Sequence, residues 1–271
     1  MTDWSVWKCH CSSIGKLMTE PRSGDKRELS QTAKTYLKEV YGEFKYGRRE
    51  DFSSKYTEKG NLSEEACITM LSRLDKKLYK KNEERLENAF LTGIPDIFEG
   101  ELIREAEYII DNKSSWSLRT FLAVLMEKLD RDYWSQIHGY FDLTGASKGE
   151  VSYCLVDCPE NILQEEKMWL LNRMVSRLQA ATEFSPAYME AAAELERLHR
   201  FDDIPIQERR IKFEVVREQT FIDSVHEKVK KARIWLAEFE AFHLNGHKII
   251  STPPPAPAIN VESIVLQKIK K

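Results

Sequence analysis

No stretch of about 18 consecutive apolar residues, the length a membrane-spanning helix needs, occurs in the 271-residue chain, so no membrane span is expected. The first residues lack the basic region, apolar stretch and small-residue cleavage site of a secretory signal, which makes a cytoplasmic protein the expectation. Neither charge dominates: 41 Lys and Arg stand against 44 Asp and Glu, and a net −3 argues against indiscriminate coating of nucleic acid. A mild basic tilt in residues 1–60 still allows a localised basic surface. Glycine (11) and proline (9) are sparse, and 42% hydrophobic with 31% charged residues rules out collagenous, low-complexity and wholly disordered classes. There is no Gly-x-x-x-x-Gly-Lys-Ser/Thr loop, so the chain is not expected to hydrolyse ATP. Neither a Gly-x-Ser-x-Gly elbow nor a His-Glu-x-x-His zinc helix is present.

Cysteine is scarce and odd in number. Cys9, Cys11, Cys67, Cys154 and Cys158 favour reduced thiols in a cytoplasm. Cys9, Cys11, Cys154 and Cys158 combine on paper into a four-thiolate zinc or iron–sulfur site, but only the second pair has the roughly two to four intervening residues usual in structural sites. Unlinked thiols, with Cys154 on a strand, are the simpler reading.

What is present is a succession of amphipathic segments. Helices are expected around Ile14, Leu17 and Met18, at 32–44, and at 61–79, where Cys67, Leu71, Leu74 and Leu78 recur at i, i+4, i+7 and i+11. Residues 85–91 and 108–112 read as strands separated by Gly93 and Pro95. Residues 117–144 read as helical, and 150–156 as a strand that alternates Val151, Tyr153 and Leu155 until Cys158-Pro159 stops it. Helix resumes over 162–199, with Met168, Leu171, Val175 and Leu178 on one face, before an edge strand at 211–216. A long helix at 220–244 carries Ile222, Val225, Val229, Ala232, Leu236 and Phe239 in a coiled-coil-like seam, suited to packing on the parent domain or to a subunit contact. Pro253, Pro254, Pro255 and Pro257 open a tail that is extended at first; its end, with Ile264, Val265, Leu266 and Ile269, is apolar enough to dock. No internal repeat is visible.

The chemistry concentrates at Gly93-Ile94-Pro95-Asp96 and, fifteen positions after Asp96, Asp111-Asn112-Lys113. Side chains alternate along a strand, so Asp111 and Lys113 project to one side while Ile110 and Asn112 point away. If the strand leading into Asp96 pairs with the one at 108–113, a second carboxylate reaches the same place. Two carboxylates beside a lysine make a hard-cation site next to a positive charge, the equipment for magnesium-assisted phosphodiester hydrolysis. Glu64 lies three, seven and ten residues before Cys67, Leu71 and Leu74, so it falls on the apolar stripe of its helix while Glu65 faces outward. A buried acid needs a partner, and a metal shared with Asp96 and Asp111 is one. The alternative is a capping box, Asn61-x-x-Glu64, in which Glu64 only satisfies a backbone N–H at a helix start. Pro-Asp and Asp-x-Lys are each common; their order, with Glu64 upstream, carries the weight.

At these residues the sequence resembles the PD-(D/E)xK nuclease superfamily, and within it the YqaJ and lambda exonuclease type of phage recombination nuclease. Gly60-Asn61-Leu62-Ser63-Glu64 looks like the family's Gly-x-x-x-Glu, Pro95-Asp96 like its Pro-Asp, and Asp111-Asn112-Lys113 like its acid-x-Lys. Tyr133-Trp134-Ser135-Gln136-Ile137-His138 resembles the motif that usually reads Gln-x-Gln, followed by Val156-Asp157-Cys158-Pro159 for Val-Asp-x-Pro. Ser12-Ser13-Ile14-Gly15 resembles the amino-terminal serine motif that helps hold DNA near its 5′ phosphate. The resemblance spans about residues 4–220. It departs at His138, which replaces the second Gln, and in the missing Arg before the serine motif, where Lys8, His10 and Lys16 are the available substitutes.

The resemblance implies an α/β (α+β) chain with a restriction-endonuclease-like core, a mixed central sheet flanked by helices, and the long C-terminal helix. One nuclease domain is expected over 1–250, with a catalytic core at about 55–160, helical additions at 1–54 and 161–250, and the proline-led tail at 251–271. Asp96 and Asp111 would be metal ligands, Glu64 a ligand through metal or water, Lys113 the catalytic lysine, and Gln136 a support. Ser12, Ser13, Lys16, Ser114 and Trp116 are the expected DNA contacts. Tyr36, Tyr41, Tyr46 and Tyr56, interleaved with Lys38, Lys45, Arg48, Arg49 and Lys55, either line a DNA path or form a solvated helix and loop. Trp134, Trp169 and Trp235 are expected in the core. The implied activity is magnesium-dependent 5′-to-3′ exonuclease action on double-stranded DNA ends, with manganese a suitable substitute because oxygen ligands accept both. The product strand would pass to a single-strand annealing protein, and a homo-oligomer in a bacterial or phage-infected cytoplasm is implied. The alternatives are a single-strand or structure-selective nuclease, or a non-catalytic DNA-binding scaffold with the same fold.

Overall fold

The computed structural model describes residues 1–48, 54–179 and 182–246; the proline-led tail and Arg49 lie outside the described residues. The chain begins with β1 (Cys9–His10), a short turn, α1 (Ile14–Leu17), α2 (Gln31–Tyr46) and α3 (Lys55–Asp75). Then come β2 (Leu86–Glu87), β3 (Leu91–Gly93), β4 (Ile97–Glu99) and β5 (Tyr108–Ser114), followed by α4 (Leu118–Leu122) and α5 (Arg131–Thr144). β6 (Lys148–Cys154), α6 (Glu160–Ser176), α7 (Pro186–Arg197), β7 (Arg210–Val216) and α8 (Gln219–Leu244) complete it.

Two mixed sheets result. The smaller has the order β1-β3-β2, with β1 parallel to β3 and β2 antiparallel to it. The larger has the order β4-β5-β6-β7, in which only β5 and β6 run parallel, joined by the crossover through α4 and α5. A parallel pair needs covering on both faces, and β5 alternates accordingly. Ile109 joins the main core with Ile137 and Phe141 of α5, whereas Ile110 joins Ile97 and the α3 residues Cys67, Ile68 and Leu71. Helices on both faces of a mixed sheet, with a long final helix, are the architecture that the sequence led one to expect.

The seam of α8 packs inward: Ile222, Val225, Val229, Ala232 and Leu236 are buried with Ile14, Leu17 and Leu37. Glu240, one turn further, accepts from the Thr2 amide at 3.0 Å and the Trp4 indole at 2.8 Å, and pairs with Lys45 of α2. The first residues, α2 and α8 are thereby tied together. All five cysteines are free and buried, with Cys154 at the end of β6.

Several elements differ from expectation, each for a local reason. The expected strand at 85–91 is two strands, because Asn88 folds the chain between them by accepting from the amides of Phe90 and Leu91, both at 2.8 Å. α3 starts six residues earlier than residue 61: Ser54 caps it by accepting from the Thr57 amide, which removes the capping box proposed for Asn61 and Glu64. It also stops at Asp75, leaving Leu78 85% exposed rather than on the apolar stripe. The helical stretch 117–144 breaks between α4 and α5, and 162–199 breaks between α6 and α7. α6 buries Ile162, Leu163, Leu170 and Met174, so the face with Met168, Val175 and Leu178 is turned outward. Trp169 is exposed beside Arg173 rather than in the core.

Candidate active site

β4 pairs with β5 so that Ile97 lies opposite Ile110, and one step along the same register sets Asp96 opposite Asp111. Asp96 therefore precedes its strand rather than ending one. Asn82 fixes this turn, its side-chain amide donating to the Pro95 carbonyl at 2.9 Å and its backbone amide to the Asp96 carbonyl at 2.8 Å. The Asp96 carboxylate accepts from the Asn112 amide at 2.8 Å and from the Asn112 side chain at 2.9 Å. Asn112, expected to point away, is thus part of the site, because the acid reaches over the strand end to meet it.

Asp111 is 0% exposed and Lys113 stands on the same side of β5, its ammonium 2.8 Å from the carboxylate. Gln136, from α5, is the hinge of the cluster. Its amide nitrogen donates to the Tyr140 hydroxyl at 2.8 Å and lies 3.4 Å from Asp111, while its oxygen faces Lys113 at 3.4 Å. α5 approaches closely enough because Gly139 is bare: a Cβ there would stand 2.5 Å from Ile14 and 2.8 Å from the Cys11 sulfur. His138 faces the opposite way, buried against Trp134, Phe141 and Phe221, with its imidazole bonded to the Trp134 carbonyl at 2.8 Å.

Asp96 and Lys113 open into a cleft of about 550 Å³ whose walls also include Glu64, Ser114 and Trp116; Asp111 is buried behind them, and neither it nor Gln136 lines the cleft. Glu64 reaches it from the middle of α3 and pairs with Lys81 at 2.8 Å. Lys59, Tyr133 and Tyr153 also line it and were not singled out from the sequence. Tyr133 sets its ring 4.8 Å from the Lys113 ammonium. Lys59 follows no motif and Tyr133 lies within one otherwise read for Gln136, so spacing alone gave neither away. Ser12, Ser13 and Lys16 lie on the turn and helix packed beneath α5 and do not line the cleft. Lys8 is paired with Glu87 at 2.7 Å; of the tyrosines read as a DNA path, Tyr36 and Tyr41 are core residues, whereas Tyr46 and Tyr56 are exposed and Tyr56 lines the cleft.

Electrostatics distinguish this cleft. Burial, reinforced by the facing Asp111 charge, pushes the Asp96 carboxyl up to about 8. Burial also raises Asp111, with Lys113 pulling against it. Burial acts to neutralise Lys113, but Asp111 and Asp96 outweigh it and hold the ammonium above the ordinary lysine range. Two facing buried acids that resist ionisation fit a hard divalent cation, which removes their mutual cost. Among the described residues no three Asp, Glu, His or Cys side chains stand together as a preformed cage. The donor set is the kind that takes magnesium through one or two carboxylates, the remaining positions going to water and phosphate oxygens.

No family model and no curated protein matches the chain. Solved structures do. A phage-related exonuclease from Haemophilus somnus 129PT is 25% identical with a TM-score of 0.65, covering 88% of this chain and 96% of its own. An alkaline exonuclease from Laribacter hongkongensis, LHK-Exo, is 12% identical with a TM-score of 0.58, covering 89% of this chain and 96% of its own. Its complex with dAMP aligns at 13% identity and a TM-score of 0.57. The fold is the one these exonuclease structures have, which supports the resemblance to the PD-(D/E)xK nucleases. Within that superfamily the likeness is to the YqaJ and lambda exonuclease type, and the resemblance read from the motifs is borne out.

Proposed function

We propose that the chain is a magnesium-dependent deoxyribonuclease, a 5′-to-3′ exonuclease acting on the ends of linear double-stranded DNA. The observation that carries this reading is the convergence of Asp96, Asp111 and Lys113 where β4 and β5 pair, Asp96 and Lys113 lining the cleft and Asp111 buried behind them, within a fold shared with a phage-related exonuclease. Asp96 and Asp111 would hold Mg²⁺, or Mn²⁺ in its place, with Glu64 contributing directly or through water. When bound, the ion polarises the scissile phosphate and lowers the pKa of the attacking water.

The remaining work falls to the chain's own side chains. Lys113, already charged and placed beside Asp111, orients that water and stabilises negative charge developing on the phosphoryl oxygens. Gln136 holds Lys113 and Asp111 on a single amide, so neither needs to reorganise far during the reaction. Tyr133 shields the ammonium from solvent on one side. Ser114 and Trp116, at the exit of β5, flank the DNA strand, while DNA contacts by Ser12, Ser13 and Lys16 follow from the motif resemblance. A partner annealing protein and assembly into a homo-oligomer follow from the same resemblance.

The test uses linear 5′-phosphorylated duplex labelled at either end, and covalently closed circles, with Mg²⁺ or with EDTA. Release of the 5′ label first, only with Mg²⁺ and only from linear DNA, is the expected outcome. Cutting of circles would replace the reading with a structure-selective endonuclease, and undiminished release in EDTA would overturn the metal dependence.

A further inference from the structure

The two oxygens of the Asp96 carboxylate are not equivalent. Asn112 donates to Oδ2 twice, from its backbone N–H at 2.8 Å and from its side-chain amide at 2.9 Å. A carboxylate oxygen has two lone pairs, so a single residue fills Oδ2. Oδ1 accepts no hydrogen bond among the described residues and is the oxygen left for the cleft, which Asp96 and Asn112 both line.

The first of these bonds has a structural cause. β4 begins at Ile97, opposite Ile110, so the Asn112 N–H lies beyond the paired strand and the Asp96 carboxylate caps it. The side-chain bond is additional: the turn is already held by that backbone bond and by Asn82, and the Asn112 amide takes the lone pair that remains. Asp111 is restricted in a similar way, with the Lys113 ammonium 2.8 Å from its Oδ2 and only the long 3.4 Å contact from Gln136 on its Oδ1. Each acid therefore has one oxygen engaged by the protein and one left over.

That restriction matters to the choice of cation. Mg²⁺ is small, binds through one or two carboxylates and keeps several waters, whereas Ca²⁺ gathers about six to eight oxygens and readily takes both oxygens of one carboxylate. We infer that Asn112 is a specificity-determining residue for the cation: by filling Oδ2 it denies Asp96 a two-oxygen grip, and so favours Mg²⁺ over Ca²⁺. Partners behind a ligand commonly set how that ligand meets its ion, and here the partner is the middle residue of Asp111-Asn112-Lys113. The inference rests on the reading of this cleft as a magnesium site and adds what discriminates between cations there.

The experiment is calorimetric titration of the protein without DNA, with MgCl₂ and separately with CaCl₂. It compares wild type with Asn112→Leu and Asn112→Ala, which both keep the backbone bond to Asp96 and lose only the side-chain one. The expected result is a rise of about tenfold in Ca²⁺ affinity relative to Mg²⁺ affinity in whichever of the two variants folds, the lower end of what a residue behind a metal ligand contributes. Ca²⁺ should also inhibit Mg²⁺-supported nucleotide release at about tenfold lower concentration in these variants. Asn82→Ala is the comparison: its side chain donates to the Pro95 and Glu84 carbonyls and touches neither carboxylate oxygen, so the ratio should stay at the wild-type value. If the Asn112 variants change both affinities by the same factor, or Asn82→Ala shifts the ratio as far as they do, Asn112 is not the discriminating residue while the cation site stands. If wild type and Asp96→Ala bind both cations equally, the reading of the cleft as a cation site fails and takes the inference with it.

Discussion

Glu150 and Asp111 lie on adjacent strands one register step apart, since Glu150 is opposite Ile110 and Asp111 opposite Val151. Both are shut off from solvent, on opposite faces of the sheet. Glu150 accepts from Ser152 at 2.6 Å, Tyr108 at 2.9 Å and Lys212 at 2.8 Å, and pairs with Arg210, which also reaches Asp75 of α3 at 2.7 Å. Burial works against its ionisation, but these partners outweigh burial and hold its carboxyl below the usual range. Asp111 has Lys113 and a long contact to Gln136, and burial wins. A buried acid whose lone pairs are filled by the protein is part of the scaffold; one left short of donors is a place for something the protein must bind.

That contrast is sharpest where the two acids are altered. Asp111→Asn should cut nucleotide release by about 10³-fold, the scale of losing a charged group that acts on the transition state. Its melting temperature should stay near that of wild type, because relief from burying the Asp111 charge offsets the partner that Lys113 loses, with Asp96 still beside that ammonium. A large loss of stability in this variant would place Asp111 with the scaffold. Glu150→Ala should do the reverse, lowering stability in urea unfolding by about 3–5 kcal/mol because Arg210 loses its buried partner. The turnover of its folded fraction should be unchanged.

Glu240→Gln tests the scaffold end at a smaller scale. Burial opposes ionisation of Glu240, but Lys45, Trp4 and Thr2 overcome it and hold its carboxyl at about 2. Its folded pKa is depressed, so its contribution is complete above the ordinary carboxylate range and is lost as pH falls through about 2. Thermal melts should show the variant about 1–3 kcal/mol less stable at neutral pH, with the gap closing toward strong acid. A gap independent of pH would mean that packing, not the charge, is what Glu240 supplies. Smallest of all, Gly60→Ala should raise stability in urea unfolding by about 0.5–1 kcal/mol, because a Cβ at this helical position would meet no atom within 4 Å.

Much of the site could be read from the sequence because strand alternation is a strict period: Asp111 and Lys113 had to share a side. The position of Glu64 followed from its offset to Cys67 and Leu71 in the same way. What escaped detection depends on contacts that periodicity does not encode. Gly60-Asn61 looks like a helix start, but Ser54 and Thr57 had already capped α3. Asn88 broke a convincing strand by capturing two amides with one carbonyl. Asn112 reached the site because Asp96 bends over the strand end, and Lys59 because two carbonyls from a distant loop converge on it. On α6 the apolar spacing fitted two faces, and neighbouring elements decided which was buried.

The most direct test of the central claim is release of acid-soluble nucleotide from linear 5′-phosphorylated duplex by wild type and Lys113→Ala, each with Mg²⁺ and with EDTA. Release by wild type that requires Mg²⁺ and disappears in Lys113→Ala is the predicted result. Lys113→Ala releasing nucleotide at the wild-type rate would contradict it and move the chemistry out of this cleft.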